Sequence, residues 1–134
     1  MIIYADTSAA FKLIVEEVES PKIAEYLDTL LDRGDEVISS WLLHTEMHCA
    51  ADRRRAIHPE AVNEVLEFLE LVDIERADLQ RAASSSWGLR SADAVHLATA
   101  LRLEVDAFLT YDAELREAAA RAGLIVHTPK TGTP

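Results

Sequence analysis

Four acidic residues, far apart in the chain, have the types and positions needed to build a cation site. They are Asp6 after the apolar run IIYA, Glu46 in LLHTEMHCA, Asp93 in GLRSADAVHLATA, and Asp112 in FLTYDAE. Clustered carboxylates repel one another, and their pKa values rise unless a cation intervenes. Carboxylate oxygens suit Mg²⁺ or Mn²⁺ better than zinc, and a pair of such ions activates water in phosphodiester hydrolysis. The sequence therefore suggests a carboxylate metal site that hydrolyses a phosphodiester.

Taken one at a time, three of these acids have a simpler structural explanation. Asp6 can start a turn, Asp112 can cap a helix, and Asp93 suits a first helical turn, where the helix dipole favours an acid. Glu46 differs because it lies inside a helical segment, about 40° from Ala50 on the edge of an apolar stripe. A carboxylate that points partly inward costs free energy unless it is paired or bound to a metal. The set of four therefore favours a site over four separate caps.

The histidines near these acids are interpreted as structural. His44 and His48 loosely resemble the pair in a zinc-protease helix, but that motif needs the glutamate directly after the first histidine. Here both lie about 160° around the helix from Glu46, so we interpret them as surface or packing residues. His96, about 60° around its helix from Asp93, is interpreted as a buried, hydrogen-bonded histidine, and a role as a metal ligand stays open.

The segments around these residues alternate between apolar, β-rich runs and longer helical patterns. The predicted strands are 2–5, 37–39, 71–74, 107–110 and 124–127, and the predicted helices are 21–32, 40–53, 59–70, 77–85, 91–103 and 112–122. This alternation predicts an α/β fold, a three-layer αβα sandwich around a mostly parallel sheet of about five strands. Sites in such sheets form outside the carboxyl ends of the strands, so we expect the four acids at one edge.

Length and composition indicate a single globular domain. The chain has 134 residues, 49% of them hydrophobic, and one cysteine, Cys49, so an internal disulfide is excluded. Charges interrupt every long apolar run and no basic stretch precedes the first one, so we expect neither a membrane span nor a signal peptide, and a cytoplasmic protein. Residues 1–127 are predicted to form the domain and residues 128–134 a flexible tail.

The charge balance is strongly acidic, with 24 Asp and Glu residues against 13 Lys and Arg, a formal net charge of −11. This excess can serve solubility, lie partly in a metal-neutralised site, or match a basic partner, and at long range it repels nucleic acid. The basic cluster 53–55 suits a helix C-terminus, with phosphate binding as the alternative. Arg90, beside the Asp93 turn, is the better candidate for contact with a backbone phosphate.

The motifs around the four acids resemble those of PIN-domain ribonucleases, and within them the VapC-type toxins of bacterial toxin–antitoxin pairs. The resemblance runs from Met1 to about His127 and rests on the strand into Asp6-Thr7-Ser8, on Thr45-Glu46, on LRSADAVHLATA, and on Thr110-Tyr111-Asp112. LRSADAVHLATA is the most specific of these runs, and Asp-Thr-Ser is the weakest. The family often has Asn or Thr before the fourth acid, where this chain has Tyr111.

This resemblance implies a PIN-like fold and a metal-dependent endoribonuclease that inhibits translation and growth. It implies a catalytic quartet of Asp6, Glu46, Asp93 and Asp112 that binds Mg²⁺ or Mn²⁺. We expect the three aspartates to be the main ligands and Glu46 to bind a second ion or orient the attacking water. Thr7 or Ser8 is expected to hydrogen-bond a ligand or water, and Glu114 to assist the site or serve only its helical turn.

The resemblance also implies partners. It implies an RNA substrate, a homodimer, and a cognate antitoxin that wraps the toxin and places a basic residue in the acidic site. The charge of −11 is compatible with such an antitoxin.

Three alternatives belong to other functional classes. A haloacid-type phosphatase also has an aspartate after its first strand, but it needs a second one at the position of Ser8. A DNA-directed nuclease of the same fold would use similar acids, because hydrolysis by water does not itself select RNA. A non-catalytic PIN-fold binding module is the third alternative, and the presence of all four acids argues against it.

Overall fold

In the computed structural model, the chain folds around a five-stranded sheet whose described strands are all parallel. The structure describes residues 1–14, 20–55 and 57–129. The strands are β1 (Ile2–Ala5), β2 (Glu36–Ser40), β3 (Glu70–Val72), β4 (Ala107–Leu109) and β5 (Val126–His127), in the order β3-β2-β1-β4-β5. The predicted α/β fold around about five strands is therefore confirmed.

Seven helices join these strands within the described residues. They are α1 (Thr7–Phe11), α2 (Ser20–Asp32), α3 (Trp41–Arg54), α4 (Pro59–Glu67), α5 (Arg76–Ser84), α6 (Ser91–Arg102) and α7 (Ala113–Arg121). The sequence predicts all of them except α1, and it predicts α4 three residues too long because Glu70 begins β3. Across the described ranges, no helix has the length and apolar character to cross a membrane.

Alternating side chains of β1 face opposite sides of the sheet. Ile3 and Ala5 pack in a cluster with residues of α2, whereas Tyr4 packs in a cluster with residues of α6 and α7. A third apolar cluster joins α1 to α3 and α4. The sheet is therefore the middle layer of an αβα sandwich, with β1 at its centre.

The strand order reverses at β1. The chain proceeds from β1 to β2 and β3 on one side, and then crosses to the other side for β4 and β5. Connections that leave the two strands at such a reversal diverge to opposite faces and leave a crevice at their carboxyl ends. At the base of this crevice, a backbone hydrogen bond joins the ends of β1 and β4: the Asp6 N–H donates to the Leu109 carbonyl at 3.1 Å.

The first two residues of the predicted tail are bonded to the domain. The Thr128 hydroxyl donates to the Thr110 carbonyl at 2.9 Å, and the Tyr111 hydroxyl donates to the Pro129 carbonyl. Residues 130–134 lie outside the described part of the chain, where a flexible tail stays a prediction.

Candidate active site

Asp6 lies in the crevice between β1 and β4 and is 2% exposed. Its Oδ1 accepts hydrogen bonds from the Ser8 hydroxyl at 2.7 Å and the Ala9 N–H at 3.0 Å, and its Oδ2 accepts from the Thr110 hydroxyl at 2.6 Å. Burial raises the pKa of Asp6, and these donors offset part of the rise. Asp6 therefore caps α1 and also supplies a buried carboxylate at the sheet reversal.

Glu46 approaches the same crevice from α3. The buried residues of this helix are the predicted stripe, Leu43, Met47, Ala50 and Ala51, and Glu46 lies beside them with 26% of its side chain exposed. Its Oε1 accepts from the Thr7 hydroxyl at 2.7 Å and lies 2.6 Å from His96 Nε2. Burial favours a higher pKa for Glu46, but the hydrogen bonds from His96 and Thr7 outweigh it and lower the pKa.

His96 connects Glu46 to the core of the domain. Its ring is fully buried, and Nδ1 lies 2.7 Å from the Tyr4 hydroxyl, while Nε2 contacts Glu46. The interpretation of His96 as a buried, hydrogen-bonded histidine is therefore confirmed. Its partner Glu46 was not predicted, because the helical angle of His96 shows which residues share its helix face but not which strand or helix faces it.

Asp93 lies half-buried in the first turn of α6. Burial and the neighbouring carboxylates of Asp112, Asp6 and Glu46 raise its pKa to about 6. No donor in the described ranges hydrogen-bonds its carboxylate, whereas the other three acids each accept at least one such bond. The structure therefore brings the four predicted acids into one electrostatic neighbourhood, with Asp93 as the member that lacks local compensation.

Asp112 caps α7 through Oδ1, which accepts from the Leu115 N–H at 2.8 Å. Its own N–H donates to the Thr110 hydroxyl at 3.0 Å, so Thr110 connects Asp112 to Asp6. Thr110 lies at the carboxyl end of β4, and that position was the signal that could have identified it from the sequence. The cap predicted as the structural role of Asp112 is present, and it coexists with the carboxylate's proximity to Asp93.

The remaining candidates lie at the margin of this cluster or away from it. Arg90 occupies the cap position of α6 and Glu114 the first turn of α7, both exposed, and no contact within the described residues joins either to the four acids. His44 and His48 contact each other with ring centroids 4.8 Å apart, and His48 Nε2 lies 3.1 Å from Asn63 Oδ1. Their interpretation as surface or packing residues is confirmed.

The donor set fits a hard divalent cation, because it consists of carboxylate and hydroxyl oxygens without a thiolate. Within the described residues, no three His, Cys, Asp or Glu side chains are spaced to hold a metal ion as they stand. Protein donors hold the carboxylates of Asp6, Glu46 and Asp112 in this arrangement, while burial and the three neighbouring carboxylates raise the pKa of Asp93. A cation there would offset the repulsion that Asp93 experiences, and the side chains would have to move closer together to coordinate it.

Comparison with known proteins assigns the family. A family model for the PIN domain matches residues 3–121. The chain belongs to the PIN domain family. This PIN domain is 37% identical over 130 residues to Ribonuclease VapC46 of Mycobacterium tuberculosis, covering 95% of the chain and 97% of the relative. It is 40% identical over 137 aligned positions to Ribonuclease VapC35 of the same species, covering 96% and 97%.

A solved structure shares the fold at low sequence identity. The crystal structure of VapBC2 from Rickettsia felis, bound to a DNA fragment from their promoter, matches with a TM-score of 0.76 and 12% identity. The match covers 97% of this PIN domain and 100% of that chain. The resemblance drawn from the acid motifs and the predicted PIN-like fold are confirmed.

Proposed function

We propose that this PIN domain is the toxin of a type II toxin–antitoxin pair and a divalent-metal-dependent endoribonuclease. The observation that carries the proposal is the cluster of four carboxylates at the β1–β4 crevice, where burial and three neighbouring carboxylates raise the pKa of Asp93 to about 6. Strongly shifted pKa values in a cleft are typical of functional sites. Ribonuclease VapC relatives that align over at least 95% of the chain support RNA as the substrate.

Asp6, Asp93 and Asp112 would hold the cation, and Glu46 would bind a second ion or a water molecule. Mg²⁺ and Mn²⁺ suit these ligands because both prefer carboxylate oxygens. When bound, such ions supply an activated water and stabilise charge on the leaving oxygen. Hydrolysis by water leaves a 5′-phosphate and a 3′-hydroxyl and does not need the ribose 2′-hydroxyl.

The chain's own donors orient these carboxylates. Ser8 and Thr110 bind the two oxygens of Asp6, which fixes its plane. Thr7 and His96 both bind Oε1 of Glu46, so Oε2 has no described donor and is the oxygen that can orient a water or accept its proton. Donors that hold a carboxylate in one orientation increase its affinity for a ligand, because less ordering is needed on binding.

The acidic site also supports a basic protein partner. With a net charge of −11 and four carboxylates in one crevice, the domain attracts positive side chains. We propose a cognate antitoxin that places a basic residue at these carboxylates, and a homodimer as the toxin's own assembly. The VapBC2 structure, in which this fold occurs, supports an antitoxin partner.

The test is a cleavage assay on total bacterial RNA and on single-stranded DNA, with Mg²⁺, with Mn²⁺ and with EDTA. We expect RNA cleavage with either metal, none in EDTA, and none by Asp93→Asn, with 5′-phosphates at the new ends. Equal activity in EDTA would point to metal-free attack by the 2′-hydroxyl. Preferential DNA cleavage would support the DNA-directed nuclease, and no cleavage of either nucleic acid would support the binding module.

A further inference from the structure

A groove of about 330 Å³ adjoins the four acids on the side of α1 and the end of α3. We call it the Arg54 groove; its lining residues are Thr7, Ser8, Phe11, Lys12, Arg54, Tyr111 and Asp112. Thr7 and Ser8 bind the carboxylates of Glu46 and Asp6, and Asp112 belongs to the acid cluster. The groove therefore continues directly from the candidate site.

Two cations lie on aromatic rings in this groove. The Arg54 guanidinium carbon lies 5.2 Å from the centroid of the Phe11 ring, and the Lys12 ammonium lies 5.2 Å from that of the Tyr111 ring. Both distances are within the range of cation–π attraction. The rings hold the two positive charges at the groove and reduce the freedom that long basic side chains have elsewhere on a surface.

The positive charges of Lys12 and Arg54 lie on a domain that is otherwise strongly negative. The chain carries a net charge of −11, and the acid cluster repels a phosphodiester that approaches it. Lys12 and Arg54 supply positive charge in a groove that Asp112 also lines, so they lie beside those acids. Phe11 and Tyr111 are half-buried, so part of each ring is exposed at the groove and can contact an unpaired base, whereas the bases of duplex RNA are stacked and paired.

We propose that Lys12 and Arg54 bind backbone phosphate of single-stranded RNA next to the scissile bond. This proposal rests on the proposed function. It adds where the RNA binds next to the acids, and that the bound RNA is single-stranded. The planar guanidinium of Arg54 suits two-pronged contact with a phosphate, whereas Lys12 acts as a point charge.

Arg53 provides the matched control. Arg53 and Arg54 both lie in the last turn of α3, where the helix dipole favours a positive charge equally at either position. Arg54 lines the groove and lies over Phe11, whereas Arg53 does neither. A role in the helix dipole alone predicts the same effect from either substitution. Packing of Arg54 on Phe11 alone predicts a lower melting temperature for Arg54→Ala with an unchanged salt dependence of RNA binding, whereas phosphate binding predicts a changed salt dependence for Arg54→Ala and not for Arg53→Ala.

The experiment measures RNA affinity without cleavage. Arg54→Ala, Lys12→Ala, their double variant and Arg53→Ala are made in an Asp93→Asn background, with thermal melting as the check of folding. A fluorescein-labelled oligouridylate of about 12 nucleotides is titrated by anisotropy from about 50 to about 300 mM KCl. The slope of log Kd against log salt concentration counts the phosphates that the protein contacts.

Each phosphate contact with a single strand contributes about 0.7 to the magnitude of this slope. We therefore expect each groove substitution to reduce the magnitude by about 0.7 and the double variant to reduce it by about 1.4. Arg53→Ala should keep the parental slope, and Arg54→Lys should restore most of the slope lost in Arg54→Ala, because it keeps the charge. A duplex of the same length should bind more weakly than the single strand.

Unchanged slopes in folded Arg54→Ala and Lys12→Ala variants would overturn the groove while leaving RNA cleavage by the wild type intact. The same result combined with weaker binding of a purified antitoxin would assign the groove to a protein segment instead. Equal binding of duplex RNA would overturn the assignment to single strands. A wild-type protein that neither cleaves nor binds RNA would overturn the proposed function together with this inference.

Discussion

His96 in α6 and Glu46 in α3 are joined side chain to side chain, with Nε2 2.6 Å from Oε1, although fifty positions separate them in the sequence. The Tyr4 hydroxyl lies 2.7 Å from Nδ1 of the same ring. Burial raises the pKa of Tyr4, so it stays a phenol and can donate to Nδ1, which directs the Nε2 proton to Glu46. This chain of hydrogen bonds from Tyr4 through His96 therefore orients the Glu46 carboxylate from its buried side.

Replacing His96 should therefore reduce catalysis more than substrate binding. For His96→Ala we expect kcat to fall by about 10–100-fold, the usual effect of removing a group that orients a ligand, with little change in KM. His96→Gln, whose amide can donate to Glu46, should recover part of the loss. The measurement is kcat and KM on a fluorogenic RNA substrate, with melting temperatures for each variant.

Tyr4→Phe is the control for this prediction. It removes only the hydroxyl that binds Nδ1, so its effect on kcat should be smaller than that of His96→Ala. If His96→Ala lost stability but kept the wild-type kcat in its folded fraction, His96 would be a packing residue without influence on Glu46.

The four acids should be individually necessary for toxicity. We expect Asp6→Ala, Glu46→Ala, Asp93→Ala and Asp112→Ala each to abolish growth inhibition when the protein is expressed without its antitoxin, because each contributes negative charge or orientation to one crevice. The measurement is growth after induction, with immunoblots for soluble protein. A soluble variant that kept full toxicity would remove that acid from the site.

The histidines of α3 are the internal controls for toxicity. His44 and His48 contact each other and Asn63 rather than the acids, so His44→Ala and His48→Ala should retain growth inhibition. Loss of RNA cleavage in either variant, with folding intact, would reinstate a histidine metal site.

Local patterns predicted the framework of the site well. The stripe of α3 and its offset at Glu46 follow from a period of 3.6 residues, and the structure buries the predicted residues. The caps at Asp112 and Ser40 place α7 and α3 within one residue of their predicted starts. These features depend on neighbours within one or two turns, which is the range over which a sequence pattern is informative.

Sequence patterns did not predict the short helix α1 or the hydrogen bonds between distant side chains of the site. With five residues, α1 is too short to show helical periodicity, and only its cap at Asp6 signals it. The bonds from Thr110 to Asp6 and from His96 to Glu46 join positions 104 and 50 apart, so they depend on the strand order β2-β1-β4. The groove partners of Arg54 depend in the same way on where α1 meets the end of α3.

Helix α6, which carries Asp93 and His96, is joined to α5 by a partly buried ion pair between Arg102 and Asp78, and this pair leads to a stability prediction. Asp78 is 1% exposed, and its Oδ1 accepts from Arg102 Nε at 2.8 Å while its Oδ2 accepts from the Thr99 hydroxyl at 3.2 Å. Asp78→Ala leaves both donors without this partner, so the free energy of unfolding should fall by about 2–3 kcal/mol in urea denaturation.

The pH dependence of this pair has a definite sign. Burial favours a higher pKa for Asp78, but the hydrogen bonds and charge of Arg102 outweigh it and lower the pKa below 3.8. The pair's contribution is therefore complete above that value and is lost as the pH falls through the lower, folded-state pKa. Wild type and Asp78→Ala should converge in stability only under acid conditions; convergence near pH 6 would contradict this account.

Asp93 should show the opposite behaviour. Burial and the carboxylates of Asp112, Asp6 and Glu46 raise its pKa from 3.8 to about 6, so its ionisation costs folding free energy. A group with a raised pKa stabilises the fold most below its unfolded value, and that stabilisation is lost as the pH rises through the folded value. The cost should therefore appear between about pH 4 and pH 6 and be complete at pH 7.

Neutralising Asp93 with little change of shape distinguishes a metal ligand from an acid that only stabilises the first turn of α6. In EDTA at pH 7, Asp93→Asn should be at least as stable as the wild type, by on the order of 1 kcal/mol once partial exposure of the side chain is allowed for. A favourable dipole contribution in the first turn of α6 opposes this gain by about 0.3–1 kcal/mol. Burial and repulsion from three carboxylates together exceed it, so we expect a net rise of a few degrees in melting temperature.

Millimolar Mg²⁺ should reverse the order of the two proteins. A ligand stabilises a fold only through its preferential affinity for the folded state, so the wild type should gain melting temperature with Mg²⁺ and Asp93→Asn should gain less. The wild-type gain should also shrink below pH 6, because a proton on Asp93 competes with the cation. The measurement is thermal melting of both proteins in EDTA and in Mg²⁺ at pH 5 and pH 7.

If Asp93→Asn melted well below the wild type in EDTA, and Mg²⁺ changed the melting temperature of neither protein, Asp93 would stabilise only its helical turn. The same experiment with Asp6→Asn tests the proposed ligand role of Asp6, because the asparagine Oδ1 can still cap α1 by accepting from the Ala9 N–H, whereas a lost ligand reduces the gain with Mg²⁺.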